Sequence, residues 1–351
     1  MSDAIWAMQE TRANIIEQNA AIIARLQDAL RDALANVIPA GGEYALLDFP
    51  NHSNIGDSAI YVGESLLCRE HFGKEPKLVC VASDGEMDRL SRLDPAVILL
   101  LHGGGNFGDL YPRHQNFREA VLARFPDRKV VQLPQSVHFR EDANLAHAGS
   151  VINAHPDFTL MVRDRVSLSI SKRHFECATI LVPDMAFMIG PSEPSRLPDL
   201  RLLSLIREDE ESVLANKEAL GRLPQPSETA DWPREERAKH PADSLPRSIR
   251  QFLPPGRQGP RPASPAAYEW LARKRVQIGF DILSRGEAVL TDRLHAHILS
   301  FLLGKPQIIL DNSYGKIGRF VDVWTRGGGF VQASSLNDVI ERLAEHQHVQ
   351  N

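Results

Sequence analysis

Residues 288–310 read AVLTDRLHAHILSFLLGKPQIIL, and this stretch decides how the chain is expected to fold. It opens and closes on apolar runs of strand length, and apolar residues recur at helical spacing between them. A glycine and a proline near its end are typical stop signals for a helix. The stretch therefore predicts a strand–helix–strand unit, with Asp292, Arg293 and His295 at the turn into the helix.

Two basic residues at this turn oppose the helix dipole. The amino end of a helix carries about half a positive charge, so Arg293 and His295 are unfavourable there unless an anion binds. Asp292 is predicted to cap the helix. In the alternative interpretation, Arg293 is solvated and His295 is a core histidine. Because side chains lean toward the amino end of a helix, we expect His295 to reach over the turn, which favours an anion site.

The amino-acid composition limits the kinds of protein that this chain can be. The chain has 351 residues, a net charge of −5 and 43% hydrophobic residues, which suits two soluble domains without a general affinity for nucleic acid. Its three cysteines lack metal-ligand spacing and are typical of a reducing compartment. No secretory signal or membrane-spanning run is visible in the sequence, so a cytoplasmic location is expected.

Residues 1–40 are the first segment with a clear pattern. Apolar residues recur there at helical spacing, which predicts an amphipathic helix. We expect this helix to pack on the body of the protein or on a second subunit in a homo-oligomer. Peripheral contact with the inner face of a membrane is the alternative, although the polar face of the helix is not especially basic.

The rest of the chain is predicted to form two α/β domains. Residues 41–190 alternate between apolar strands and helices, which predicts a parallel sheet covered on both faces in a doubly wound, Rossmann-like domain. Residues 191–199 predict a linker. Residues 200–335 predict a second doubly wound domain, with a proline-rich insertion at 222–265 that is interpreted as a partly disordered surface segment without a site. A helix and tail close the chain at 336–351.

Three polar loops of the first domain, at residues 51–57, 102–109 and 134–138, follow predicted strands. Taken singly, each is typical of a capped tight turn. Because ligands of open parallel sheets bind beyond the carboxyl ends of the strands, we expect the three loops to line one wall of a cleft. The candidate ligand-binding residues in these loops are Asn54, Gly56, Asp57, His102, Gly103, Gly104, Gly105, Asn106, Asp109, Gln135 and Ser136.

Missing motifs argue against other chemistries. The sequence HGGG at 102–105 is also the oxyanion-hole motif of lipase-like hydrolases, but no G-x-S-x-G nucleophile elbow occurs in the chain. No P-loop occurs either, so a nucleoside triphosphate is not indicated. His295 and His297 lie two positions apart and face different directions on a helix, so no metal site is expected there.

Two further groups of candidates follow later strands. Arg163 and Arg165 lie at a predicted strand-to-helix junction, where they either bind an anion or pair with Asp164 and Asp184. The second group lies in another polar loop at the end of a predicted strand. Its candidate residues are Asn312 and Lys316.

Together these motifs resemble the polysaccharide pyruvyl transferase family. The matching segments, in chain order, are Asn54–Asp57, His102–Asn106, Pro134–Ser136, Arg163–Arg165, Pro183–Asp184, Asp292–His295 and Asn312–Lys316. The chain departs from the pattern at residues 210–265. The resemblance implies two Rossmann-like domains in a GT-B-like arrangement, with the active site in the interdomain cleft.

The resemblance also implies a reaction. Phosphoenolpyruvate is the expected co-substrate, no cofactor or metal is implied, and the acceptor is a sugar of an exopolysaccharide or cell-envelope glycan precursor, expected as a lipid-linked oligosaccharide. The product carries a pyruvate ketal. An acidic residue of the first domain, either Asp57 or Asp109, is implied to assist the acceptor.

The same resemblance assigns donor binding and acid–base work to Arg293, Leu294 and His295. A further arginine is implied in donor binding, and we favour Arg163, with Arg165 as the alternative. This fits the donor, because two arginines and a helix start suit its phosphate and carboxylate. Histidine titrates near neutrality and suits proton transfer.

Two other functions remain as alternatives. The first is a glycosyltransferase of GT-B type that uses a nucleotide sugar in polysaccharide biosynthesis, and competition between donors separates it from a pyruvyl transferase. The second is a carbohydrate-binding scaffold derived from a decayed enzyme. The presence of both Arg293 and His295 argues against the scaffold.

Overall fold

The computed structural model describes residues 12–207, 223, 226–232, 264–311 and 315–347. Its helices are α1 (Arg12–Val37), α2 (Ile55–Phe72), α3 (Met87–Ser91), α4 (Pro112–Arg124), α5 (Asp142–Asn153), α6 (Arg165–His174), α7 (Pro265–Ser284), α8 (Leu294–Leu302), α9 (Lys316–Trp324) and α10 (Leu336–Gln347). Its strands are β1 (Tyr44–Leu47), β2 (Leu78–Cys80), β3 (Ile98–Leu101), β4 (Gly104–Gly108), β5 (Val130–His138), β6 (Phe158–Val162), β7 (Ala178–Leu181), β8 (Leu200–Leu205), β9 (Ser227–Ala230), β10 (Gly286–Thr291), β11 (Gln307–Leu310) and β12 (Phe330–Ala333).

The described residues fall into two compact units. The first unit holds those of Ala29–Met188 and Arg234–Arg275, and the second holds those of Met1–Asp28, Ile189–Pro233 and Val276–Asn351. Each unit contains one sheet in which every described strand pair is parallel. The prediction of an α/β chain with two parallel sheets is therefore confirmed.

The sheet of the first unit has the strand order β2-β1-β3-β5-β6-β7, with β4 also paired to β5. Strands β1, β2, β3 and β6 are buried along their whole length, as expected for parallel strands covered on both faces. The chain adds β2 on one side of β1 and then β3 on the other. Such a reversal leaves a crevice at the carboxyl ends of β1 and β3, where doubly wound folds bind ligands.

The sheet of the second unit has the order β12-β11-β10-β8-β9 and reverses between β8 and β10. The ends of these two strands are tied together, because the hydroxyl of Thr291 donates to the Leu205 carbonyl oxygen at 2.7 Å. Arg293 and His295 follow β10 directly. They therefore lie at the reversal point of their own sheet.

Helix α1 buries an apolar stripe against its own chain. The stripe contains Ile15, Ile23, Leu26, Leu30 and Leu34. Within the second unit, Asn19 donates to the Phe301 carbonyl oxygen at 3.0 Å and accepts from the Gly329 amide at 3.1 Å. Across the described ranges, no helix combines the length and the apolar character needed to cross a membrane.

Two of the predicted loops are strands. Residues 104–108 form β4, and residues 134–138 are the last part of β5. Glycines are rare in strands, so the sequence indicated a turn. Here they are required by close packing, because a Cβ on Gly108 would lie 1.7 Å from the His138 carbonyl oxygen. The run GGGNFG also has dinucleotide-motif spacing, but it forms a strand where that motif requires a turn into a helix.

The prediction that Asp292 caps helix α8 is wrong. The helix begins at Leu294 with Arg293 as its N-cap residue, and no side chain caps it. The carboxylate of Asp292 instead accepts a hydrogen bond from the Arg207 backbone N–H at 2.9 Å. Because strands β8 and β10 end side by side, this neighbouring amide competes with the helix for the carboxylate.

Residues 222–265 were predicted to be a surface insertion. For residues 223 and 226–232, which the structure describes, this prediction is wrong. Strand β9 pairs in parallel with β8, and Leu223 and Trp232 on either side of β9 are buried. The prediction failed because a short, polar edge strand has no apolar pattern to reveal it. Residues 222, 224–225 and 233–263 of this segment lie outside the described residues.

We predict that Gly63→Ala destabilises the first unit. Alanine normally stabilises a helix relative to glycine at the same position. In α2, however, a Cβ at position 63 would lie 1.8 Å from the Met185 carbonyl oxygen. We expect a loss of about 2 kcal/mol from overpacking, seen as a lower midpoint of thermal unfolding. Gly85→Ala is the matched control, since nothing lies within 4 Å of its Cβ position; equal midpoints for the two variants would contradict the packing.

Candidate active site

The loop after β1 carries the first group of candidates. Asn54 caps α2: its side-chain oxygen accepts from the Gly56 N–H at 3.0 Å, and its Nδ2 donates to the Asp57 carboxylate at 2.9 Å. Asp57 lies in the first helical turn, where the dipole favours a carboxylate. Nε2 of His52 lies 3.6 Å from Oδ2 of Asp57. The loop therefore presents an imidazole–carboxylate pair at the reversal point of the sheet.

A second pair lies deeper, beside the glycine run (Gly103–Gly105). Glu64 on α2 accepts hydrogen bonds from Nδ1 of His102 at 2.8 Å and from the Gly103 amide at 2.7 Å. The side chains of Glu64 and His102 are 0% and 3% exposed. Glu64 is not among the residues predicted from the sequence, although its spacing of seven residues from Asp57 places both on one helix face.

The charge of His102 follows from its surroundings. Burial alone would lower its pKa, but the charge and hydrogen bond of Glu64, with more distant effects of Asp57 and Asp48, raise the pKa to about 8. The His102 side chain is therefore largely an imidazolium at neutral pH. This pairing keeps a positive charge inside the first unit, next to the glycine run.

A third imidazole–carboxylate pair joins the end of β1 to α4. Nδ1 of His114 lies 2.8 Å from Oδ2 of Asp48. Asp48 has a φ of 67°, which lies in the left-handed region that residues other than glycine rarely adopt. Backbone strain of this kind is concentrated at functional sites. Neither the pair nor the strain was predictable from the sequence.

An amide network supports the glycine run from β5. Gln132 and Gln135 both donate to the His102 carbonyl oxygen, at 2.8 and 3.0 Å. Gln135 also donates to the side-chain oxygen of Asn106 at 2.8 Å. The buried guanidinium of Arg118 donates to Gln132 at 2.6 Å and to Asn106 at 2.9 Å. Burial lowers the pKa of Arg118 to about 10, so this residue, also missed from sequence, stays charged at neutral pH.

Arg163 is fixed against the glycine run. Its Nη1 lies 2.5 Å from Oδ2 of Asp184, and its Nε donates to the Ser136 hydroxyl at 3.0 Å. Arg163 and Asp184 are both buried. A Cβ on Gly105 would lie 3.2 Å from Nη2 of Arg163. Asp184 and Ser136 thus hold the guanidinium in place beside backbone that carries no side chain.

The residues that the sequence left as alternatives lie in different surroundings. Arg165 is exposed at the first position of α6, whereas Arg163 is buried. Asp109 accepts hydrogen bonds from the Arg140 amide at 2.8 Å and from the Glu141 amide at 2.9 Å. Burial would raise the pKa of Asp109, but these hydrogen bonds outweigh it and lower the pKa. Asp109 therefore anchors the start of α5.

In the second unit, the candidates surround the start of α8. The Arg293 backbone N–H donates to the Thr291 hydroxyl at 3.0 Å. The Arg293 guanidinium forms an ion pair with Asp231, and only about an eighth of each side chain is exposed. Leu294 and His295 are the first two residues of the helix, and both are half-buried. Asp231 was missed because it follows β9, inside the segment interpreted as an insertion.

Three further residues named from the sequence, His297, Lys316 and Asn312, add little to the candidate site. His297 is fully buried and contacts Gln307 and Thr325 at 3.0 Å each. Burial lowers its pKa to about 4, against the effect of the Gln307 hydrogen bond, so it is a neutral core residue. Lys316 is the first residue of α9, and Asn312 lies outside the described residues. In the part of the chain that the structure describes, no three acidic, histidine or cysteine residues are arranged to hold a metal ion.

We predict that the stability contributed by His102 depends on pH. Its pKa rises from 6.5 to about 8 on folding, so the contribution is fully present below pH 6.5 and is lost as the pH rises through 8. The difference in unfolding free energy between wild type and His102→Gln should therefore shrink by about 2 kcal/mol between roughly pH 6 and pH 9. Urea unfolding at both pH values measures it. A difference independent of pH would show that the pair is not charged.

The chain is similar to proteins named as pyruvyl transferases. It is 34% identical over 297 residues to EpsO of Bacillus subtilis (strain 168), covering 84% of this chain and 89% of EpsO. It is 33% identical over 323 residues to pyruvyl transferase 1 of Schizosaccharomyces pombe, covering 86% of this chain and 75% of that protein. The crystal structure of an uncharacterised Klebsiella pneumoniae protein shares the fold, with a TM-score of 0.58, 18% identity and coverage of 88% of this chain and 99% of that chain.

The sequence profile of the polysaccharide pyruvyl transferase family matches residues 54–314. The match begins at the Asn54 cap and includes the glycine run, Arg163 and the start of α8 with Arg293 and His295. It therefore spans the candidate residues of both units except Lys316, which lies two residues beyond the match. With the two relatives at more than 30% identity, this match confirms the resemblance noted from the motifs, and the chain belongs to the polysaccharide pyruvyl transferase family.

Proposed function

We propose that the protein transfers the pyruvyl group of phosphoenolpyruvate to a sugar of an exopolysaccharide or cell-envelope glycan precursor, where it forms a pyruvate ketal. Family membership supports a transferase of pyruvyl groups. The observation that carries the proposal for the donor is the buried Arg163, held by Asp184 and Ser136 beside Gly105. A fixed guanidinium next to bare backbone suits a small carboxylate or phosphate.

Phosphoenolpyruvate carries two anionic groups, so its binding calls for two cationic contacts. Arg163 is the proposed contact in the first unit, and Arg293 is the proposed contact in the second. Arg293 stands at the start of α8, whose dipole adds to the attraction for an anion. Its pairing with Asp231 restricts its rotamers before the donor arrives.

The ketal forms in steps that need one acid and one base. His295 is proposed to protonate the methylene carbon of the donor, which gives oxocarbenium character to the neighbouring carbon that bears the phosphate. One acceptor hydroxyl attacks that neighbouring carbon, phosphate leaves from it, and a second hydroxyl closes the ring. Of the two hydroxyl protons released, one balances the proton added to the methylene carbon and the other leaves with the phosphate. Asp57 is proposed to assist the acceptor.

Other parts of the proposal follow the family resemblance. The acceptor is a lipid-linked oligosaccharide on the cytoplasmic side of a membrane, and the two units adopt a GT-B-like arrangement that brings their candidate residues into one site. Phosphoenolpyruvate is a co-substrate and no other cofactor is needed. The arginines offset the phosphate charge, so the chemistry requires no metal.

Product analysis tests the function. The protein is incubated with phosphoenolpyruvate and lipid-linked oligosaccharides, or with a panel of p-nitrophenyl hexosides that offer neighbouring and 4,6-hydroxyl pairs. We expect phosphate release that depends on the acceptor, together with the mass gain of a pyruvate ketal. Turnover with nucleotide sugars and none with phosphoenolpyruvate would replace the proposal with a glycosyltransferase. Donor binding without turnover of any acceptor would favour a binding protein.

We predict different effects for Arg293 and His295. Arg293→Ala should weaken the binding of phosphoenolpyruvate, and Arg293→Lys should restore it only in part, because the planar fork is lost. His295→Gln should leave donor binding nearly unchanged and reduce turnover by about 10²–10⁴-fold, as expected for a proton-transfer group. Calorimetric titration and turnover on the same variants measure both quantities. Arg165→Ala is the matched control.

Near-normal turnover of His295→Gln, combined with a lower unfolding temperature, would make His295 a core residue. Unchanged donor binding by Arg293→Ala would remove Arg293 from the donor site. A loss of donor affinity in Arg165→Ala equal to that in Arg163→Ala would contradict the preference for Arg163.

A further inference from the structure

Three imidazole–carboxylate pairs converge at the reversal point of the first sheet. They are His52 with Asp57, His102 with Glu64, and His114 with Asp48. The carboxylates of all three follow or face the ends of β1 and β3, where a doubly wound sheet binds its ligand. The proposed function uses only Asp57 from this group. Its histidines have no role in that proposal.

The three pairs differ in their access to a substrate. The side chains of His52 and Asp57 are 44% and 24% exposed, whereas those of His102 and Glu64 are 3% and 0% exposed. His114 is about one-fifth exposed, but its partner Asp48 is buried. Only the pair formed by His52 and Asp57 is open enough to meet a sugar hydroxyl.

The carboxylate of the accessible pair is also held in place. Asn54 donates to Oδ2 of Asp57 at 2.9 Å, and the Asn54 side-chain oxygen is itself fixed by the Gly56 amide at 3.0 Å. Oδ1 of Asp57 lies 3.5 Å from the position that a Cβ on Gly104 would take. The carboxylate therefore stands between His52 and the glycine run, next to the proposed donor site.

The pKa values of His52 and His102 are shifted in opposite directions. Partial burial lowers the pKa of His52; Asp57 opposes this effect, and His102, His114 and Arg275 add to it. The pKa of His102, by contrast, is raised to about 8. Titratable neighbours whose pKa values are pushed apart are typical of sites that divide acid and base roles. At neutral pH, His52 is neutral and has a lone pair to accept a proton.

We propose that His52, oriented by Asp57, is the general base that removes the proton from the attacking acceptor hydroxyl. This inference rests on the proposed function and adds a residue to it. The hydroxyl O–H bond breaks as the oxygen bonds to the ketal carbon, and the proton moves to Nδ1 of His52. Nε2 faces Asp57, whose negative charge stabilises the imidazolium that forms. The proton then leaves with the departing phosphate.

The charged neighbours of His52 fix the sign of the pH dependence. They are Asp57 on α2, His102 after β3, His114 on α4 and Arg275 on α7. The pKa of His52 lies below 6.5, so the base is active at neutral pH and is lost as the pH falls through that pKa. The kcat/KM for the acceptor reports the ionisation of the free enzyme, so it should show an acid limb, and His52→Gln should not show it.

Turnover of wild type, His52→Gln, His52→Ala and His147→Gln tests the proposal, with phosphoenolpyruvate and the acceptor that the wild type uses. His147 is the matched control, because it is 67% exposed and pairs with Glu119 on the surface. We expect turnover of His52→Gln to fall by about 10²-fold or more, with unchanged calorimetric affinity for phosphoenolpyruvate. Added imidazole should restore part of the turnover of His52→Ala, since this site is open to solvent. The control should match the wild type.

Two results overturn the proposal. Turnover of His52→Gln within about threefold of the wild type, with the acid limb retained, removes His52 as the base. A large loss without rescue by imidazole, accompanied by an equal loss of donor affinity or of thermal stability, gives His52 a structural role. An inactive wild type, in contrast, overturns the proposed function itself and this inference with it.

Discussion

The two hydrogen bonds accepted by the buried Glu64 carboxylate organise the candidate site of the first unit. One of its oxygens accepts from the His102 ring and the other from the Gly103 amide, so it joins α2 to the end of β3. Removing one partner of a buried ion pair typically costs about 3–5 kcal/mol. The charge of His102 therefore depends on this side chain, which also holds the first amide of the glycine run. Two turns earlier, the same helix face presents Asp57.

The strands and the class of fold were predictable because both sheets are parallel and buried. Such strands are continuous apolar runs, and the runs leading to His102 and Arg293 were recognised from sequence alone. Strands β4 and β9 were not recognised, because glycine and short polar residues form strands only where a neighbouring backbone requires it. The prediction that Asp292 caps a helix failed for a similar reason. Its alternative partner, the Arg207 amide, becomes a neighbour only after the sheet has formed.

Some candidate residues stood out in the sequence because they break local rules. Basic residues at the start of a helix and three consecutive glycines both indicated a ligand, and the family match includes both. The supporting residues were harder to find. Glu64 and Arg118 are typical helix surface residues in the sequence, and only burial by the sheet turns them into fixed charges beside the glycine run. Arg163 and Arg165 are equivalent in the sequence, and only the pair with buried Asp184 distinguishes them.

The second unit joins the earliest part of the chain to the latest. Asn19 in α1 bonds to Phe301 and Gly329, which are 282 and 310 residues away. Contacts at such distances form late, because they close very long loops. At ordinary rates of translation, α1 leaves the ribosome roughly 15–60 s before Gly329 is synthesised. Until then Asn19 lacks both of these partners, so the part of α1 that belongs to the second unit cannot complete its packing during synthesis.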